Sequence, residues 1–175
     1  MEEDSWDSLR VQQAEERILK QGPPLNPYWR QKYESQANKY WHDFYKRNTT
    51  NFYKDRHYLH VEFPELLGHS AMTPSCAGPV GACQLEGKTR LLEVGCGVGN
   101  AVIPLIELND SLEVHAVDFA DSAIQLLGEH PCCAAGRLHA SVCCVVSQEL
   151  PVPPNSMDLV LCMFVLSAIA PQVGG

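Results

Sequence analysis

No apolar run in the chain approaches the roughly 20 residues that a membrane span requires. No C-x-x-C pair occurs, and no His–Cys spacing resembles a zinc finger, so no metal site is expected. Eight cysteines are too few for a disulfide scaffold in 175 residues. They read as small apolar side chains in and beside strands, kept reduced. The opening Met1-Glu2-Glu3-Asp4-Ser5-Trp6-Asp7 lacks both the apolar stretch of a signal peptide and the Arg-rich look of a transit peptide. A cytoplasmic location is therefore expected, with the nucleus as the alternative. Basic residues are scarce: 13 Lys and Arg stand against 21 Asp and Glu, for a net charge of −8. That balance argues at first against a nucleic-acid partner.

The charge is unevenly spread. Residues 1–16 carry a net −5, residues 17–60 a net +6, and residues 61–175 a net −9. The basic stretch also holds ten of the fourteen aromatics, Tyr28, Trp29, Tyr33, Tyr40, Trp41, Phe44, Tyr45, Phe52, Tyr53 and Tyr58. Positive charge neutralises phosphates, and aromatic rings give unpaired bases a stacking surface. The same pattern also fits an amphipathic helix whose aromatics pack on a domain while Lys and Arg stay solvated.

Three regions follow from composition. Residues 1–67 read as a helical segment rich in aromatic and basic residues. One helix is predicted over 5–20 and stopped by Gly22-Pro23-Pro24. Asn26-Pro27 reads as a turn, and a second helix is predicted over 29–47. Residues 68–89 read as a linker. Residues 90–175 alternate strand and helix: strands at 90–94, 112–117, 138–146 and 157–166, and helices at 99–108 and 121–129, the latter capped by Asp121. The fourth strand is apolar enough to be buried on both faces. This order predicts an α/β fold with a parallel, doubly wound sheet.

The strongest local signal is Glu93-Val94-Gly95-Cys96-Gly97-Val98-Gly99-Asn100, which follows a strand and opens a helix. Gly95 and Gly97 permit a tight turn and a close approach of backbone N–H groups to a ligand. Asp118 lies 23 residues after Gly95, where a carboxylate can accept both hydroxyls of a ribose. A dinucleotide enzyme needs G-x-G-x-x-G, and position 100 is Asn.

The form E-x-G-x-G-x-G resembles the first motif of class I S-adenosylmethionine-dependent methyltransferases. A closer resemblance covers most of the chain. Tyr40-Trp41-His42-Asp43-Phe44-Tyr45-Lys46-Arg47-Asn48, Asn51-Phe52-Tyr53-Lys54-Asp55-Arg56-His57, Glu62-Phe63, Val117-Asp118-Phe119 and Phe164-Val165-Leu166-Ser167-Ala168-Ile169 are similar to motifs of the tRNA 3-methylcytidine methyltransferases. The resemblance implies a class I, Rossmann-like sheet, here incomplete with about four strands, and S-adenosyl-L-methionine as cofactor. It implies methyl transfer to N3 of cytidine 32 in a tRNA anticodon loop. The implied partners are the anticodon stem-loop and, as for some relatives, an accessory protein such as an aminoacyl-tRNA synthetase. Gly95, Gly97 and Asp118 would hold the cofactor, with Trp41, Tyr45 and Met163 covering it. Core packing accounts for those last three equally simply. Lys54 and Arg56 match the family's Lys-Asp-Arg element and are candidates for RNA contact; for Arg56 a structural salt bridge is the alternative. No catalytic residue is assigned.

Two departures stand out. Where the family carries an acid near the adenine, this chain reads Val142-Cys143-Cys144-Val145-Val146-Ser147-Gln148, with no carboxylate before Glu149. The family's sheet has further strands beyond the fourth, without which the fourth strand becomes an exposed edge that invites a partner. A chain without them would be a truncated, non-catalytic product that binds RNA or a partner protein, the alternative to a working enzyme.

Overall fold

The computed structural model describes residues 7–20, 26–67 and 88–169. The predicted Gly22-Pro23-Pro24 stop, nearly all of the predicted linker, Cys76 and Cys83 lie outside the described residues. Residues 1–35 and 36–175 form two compact units.

In the first unit, helix α1 spans Ser8–Lys20. Asp7 caps it, its Oδ1 accepting from the Arg10 N–H at 2.7 Å. Helix α2 spans Pro27–Asn48, and its residues from 36 onward belong to the second unit. Asn26-Pro27 is therefore a helix start rather than a free turn. The Asn26 Oδ1 accepts from the Tyr28 N–H at 2.9 Å, and Pro27 fills the first helical position, where no N–H is needed.

The second unit is built on a parallel sheet. Strand β1 is Thr89–Val94, β2 is Leu112–Asp118, β3 is Leu138–Val142 and β4 is Leu159–Cys162. Their order is β3-β2-β1-β4, with every pairing parallel. The chain steps outward from β1 to β3, then returns to place β4 on the other side of β1. That reversal opens a crevice at the carboxyl ends of β1 and β4, the position where open α/β sheets bind ligands.

Helices α3 (Leu59–Glu62), α4 (Val102–Leu108), α5 (Asp121–Gly128) and α6 (Pro131–Ala134) complete the unit. The main core joins Leu91, Val114, Ala116, Leu138 and Leu161 of the sheet to Val102, Leu105 and Ile106 of α4 and Leu127 of α5. Leu59 of α3 and Leu66 of the 3-10 turn Pro64–Leu67 are buried in that same core. Residues just before the predicted linker are thus part of the sheet's packing. The opposite face carries a smaller cluster of Leu92, Val117 and Cys143.

Three expectations change. Strand β3 ends at Val142, because the chain then curls: the Cys144 carbonyl accepts from Gln148 N at 2.8 Å, and the Gln148 side chain accepts from Cys144 N at 2.7 Å. Strand β4 is short and lies at the edge of the sheet; Leu161 is buried, but Val160 is 66% exposed. Met163 follows that strand rather than lying in it. Finally, α5 begins after Ala120, so Asp121 is its first residue and accepts from the Gln125 side chain at 2.7 Å. Among the described residues no helix is long and apolar enough to cross a membrane.

Leu59 is fully buried. Leu59→Ala is predicted to lower stability by about 2–5 kcal/mol. Leu9→Ala, on the exposed face of α1, should change stability by no more than about 0.5 kcal/mol. Urea unfolding of both variants checks the contrast.

Candidate cofactor site

The glycine turn after β1 is sewn to the end of β2. Gly95 N and Cys96 N both donate to the Val117 carbonyl, at 2.7 and 3.1 Å. Gly97 N donates to Asp118 Oδ2 at 2.9 Å, and Ala120 N donates to Asp118 Oδ1 at 2.8 Å. Asp118 thus fixes both the turn and the entry to α5. The carboxylate keeps acceptor capacity for a hydroxyl beyond these bonds. Burial raises the Asp118 pKa, opposed by the hydrogen bonds from Ala120, Gly97 and Phe119.

The glycines are required by contact as well as by conformation. Gly95 has φ +70 and Gly97 φ +55. A Cβ at Gly95 would collide with the Val165 side chain, and one at Gly97 would lie 2.5 Å from the Tyr45 hydroxyl. The side chains of Val165 and Tyr45 therefore pack directly against the backbone of the turn.

Glu93, at the end of β1, is 3% exposed, and its Oε2 has no hydrogen-bond partner. Burial pushes its pKa up to about 8; the nearby Asp118 adds to the rise and Arg56 opposes it. The carboxyl is therefore mostly protonated at neutral pH. A cationic group brought to the orphan oxygen would favour the ionised form. The Cys96 thiol is held well above its ordinary pKa by burial and by both acids, so it stays neutral.

The second half of α2 closes over this turn. Asn38 Nδ2 donates to the Phe119 carbonyl. Ser122 N donates to His42 Nδ1 at 3.3 Å and Ser122 Oγ to the His42 carbonyl at 3.0 Å, so α2 satisfies an open N–H at the start of α5. Trp41 stacks on Tyr45 with ring centroids 6.0 Å apart. Tyr45 is buried, and burial together with Asp118 keeps its phenol protonated. From the other side, the Asn100 amide donates to the Tyr53 carbonyl at 3.1 Å and to Asp55 Oδ1 at 3.0 Å. Arg56 N donates to the Asn100 carbonyl at 2.7 Å.

The structure therefore brings Gly95, Gly97, Asp118, Trp41 and Tyr45 together. Met163 is half-buried and packs against the main core. Arg56 turns inward, its guanidinium 4.9 Å from the Phe164 ring centroid, while Lys54 is exposed. No carboxylate follows β3 where an adenine contact would sit; Cys143 N there donates to the Asp118 carbonyl at 2.9 Å. Sequence reasoning did not single out Asn38, His42, Val165 or the role of Asn100. The Asn that replaces a third Rossmann glycine at position 100 was the available signal.

A parallel β3-β2-β1-β4 sheet, a glycine turn at its switch point and an acid ending β2 make a Rossmann-like nucleotide-binding core, the arrangement of class I methyltransferases. A family model described as "Methyltransferase domain" matches residues 92–174. The chain is 39% identical over 163 residues to mouse tRNA N(3)-cytidine methyltransferase METTL6, covering 91% of this chain and 53% of that protein. It is 33% identical over 221 residues to mouse tRNA N(3)-cytidine methyltransferase METTL2, covering 95% of this chain and 57% of that one. It is 35% identical over 174 residues to the tRNA(Thr) (cytosine(32)-N(3))-methyltransferase of Saccharomyces cerevisiae, covering 95% and 26% respectively. Over the residues it spans, the chain is similar to these tRNA N(3)-cytidine methyltransferases. It spans about half the length of the two mouse relatives.

Glu93→Gln tests the buried acid. A carboxyl whose folded pKa is raised stabilises the fold at low pH and loses that contribution as pH rises from about 4.5 through about 8. The wild-type chain should lose up to about 1.4 kcal/mol per pH unit in that window from this residue. Glu93→Gln should lack that component in urea unfolding at a series of pH values. Equal slopes for the two proteins would remove Glu93 as its source.

Proposed function

We propose that this chain is the cofactor-binding part of an S-adenosylmethionine-dependent tRNA methyltransferase that forms 3-methylcytidine at position 32 of the anticodon loop. The observation that carries the cofactor reading is the glycine turn flanked by two buried acids of different character. Gly95 and Gly97 hold the tight turn, at φ +70 and φ +55. The orphan Oε2 of Glu93 suits an amino-acid ammonium, and Asp118 keeps acceptor capacity for ribose hydroxyls. Trp41 and Tyr45 would cover that ligand. The names of the relatives support the nucleoside and its position.

The chemistry asks little of the protein beyond placement. Bound S-adenosylmethionine supplies an activated methyl on a sulfonium, and cytosine N3 has a lone pair without prior deprotonation. No general base is required, so the residues act by holding and orienting. N3 is engaged in a Watson–Crick duplex, and the base must be unpaired or extruded to react. Phe52 and Tyr53, exposed beside the glycine turn, are available stacking surfaces. Lys54, exposed on the same stretch, is the better-placed phosphate contact, since Arg56 is held against Phe164.

The cytoplasm as place of action and an accessory protein such as an aminoacyl-tRNA synthetase belong to the same proposal. A second reading, a non-catalytic chain that binds RNA or a partner protein, draws on the exposed apolar groups at the β4 edge, Val160, Phe164 and Leu166.

Methyl transfer from labelled S-adenosylmethionine to a tRNA carrying cytidine 32 decides between the two. Transfer supports the enzyme; binding of tRNA without transfer, at saturating cofactor, supports the second reading. Asp118→Ala should weaken S-adenosylmethionine binding in calorimetry by about 1.5–3 kcal/mol for each hydrogen bond lost to the carboxylate. Unchanged affinity in a variant that remains folded would show that Asp118 only holds the turn.

A further inference from the structure

Strands β2 and β3 place two histidines opposite each other, His115 pairing with His139 in the register. Their rings stack with centroids 4.9 Å apart and planes 25° apart. Glu113 lies two residues before His115, on the same face of β2. Its Oε1 is 3.9 Å from His115 Nε2 and 3.7 Å from His139 Nε2. The potential ligand atoms of all three side chains lie within 4.8 Å of one another. This face of the sheet is turned away from α4 and the main core, and His139 is exposed while Glu113 and His115 are half-buried.

We propose that Glu113, His115 and His139 form a binding site for a borderline transition-metal dication, with Zn2+ as the reference ion. Two imidazoles and one carboxylate are a donor set that such ions take, with a fourth position left for water. Zinc bonds of about 2.0–2.2 Å in a tetrahedral site set ligand atoms about 3.3 Å apart. The carboxylate–imidazole separations of 3.7 and 3.9 Å lie about half an ångström above that value, and ligation asks the two stacked rings to turn toward a common point. As a plain ion pair the cluster is poorly made, because 3.7 and 3.9 Å exceed hydrogen-bond distance. The second carboxylate oxygen, Oε2, faces the Lys88 ammonium at 3.7 Å, which competes with a metal for the acid. A bound ion would clip the edge strand β3 to β2. The spacing along the chain hides this site, since its ligands meet only across the strand pair.

Cobalt(II) titration of the purified full chain tests the site, because cobalt distinguishes imidazole–carboxylate ligation from thiolate ligation. One cobalt per chain is expected, with d–d absorption, no thiolate charge-transfer band, and displacement by Zn2+. Loss of an outer partner of a metal ligand already costs about 10–100-fold in affinity. His139→Ala and His115→Ala should therefore each weaken binding by at least about 100-fold. Lys88→Ala, which removes the competing cation, should tighten it severalfold. Circular dichroism confirms folding of each variant; His139 and Lys88 are exposed, and those two variants carry the test should His115→Ala unfold. A signal confined to the thiolate band, or affinity unchanged in His139→Ala, would overturn the proposal.

Discussion

The Asp118 carboxylate, held between the N–H of Gly97 and the N–H of Ala120, is the joint on which the site depends. Both donors would otherwise be buried without a partner. A charged acceptor makes each bond stronger than a neutral one. The acid thereby fixes the turn after β1 and the start of α5 with one group. The second half of α2 then docks on what Asp118 has ordered, through Asn38 on Phe119 and His42 on Ser122. Glu93 sits in the same pocket with the opposite solution. At Asp118 backbone donors oppose the rise that burial causes; the Glu93 Oε2 has none, and burial pushes that group up to about 8. Two carboxyl groups in one crevice are separated in behaviour by their neighbours alone.

The two faces of the sheet are used differently. One is packed by α4, α5 and the residues around Leu59, which makes the crevice rigid where the glycine turn needs it. The other is thinly covered and carries the His115–His139 pair. Alternation along β2 sends Glu113, His115 and Val117 to one side and Leu112, Val114 and Ala116 to the other, so a single strand serves both purposes.

Much of this was legible in the sequence where the signal is local. The strand ending in glycines, the acid closing the next strand and the alternation of elements all act within a few residues of themselves. What was not legible depends on partners distant in the chain. The apolar run around Val160 reads as buried on both faces, and its exposure follows from its place at the edge of the sheet. Asn26-Pro27 reads as a turn until the following helix shows that it is a cap. The aromatic stripe of α2 left open whether it faced RNA or the domain. Tyr45 faces inward and Tyr40 remains accessible, so one helix answers both ways. The neutral state of Glu93 comes from burial by other elements, which no motif records.

The close approach of Tyr45 to Gly97 makes the two positions a single unit of variation. The phenol occupies the space a side chain at position 97 would need, and the backbone there has φ +55. A larger residue at 97 requires a smaller one at 45, although 52 positions separate them in the chain. Such a pair should drift together among homologues, so that the helix over the pocket and the turn beneath it inherit their sizes jointly.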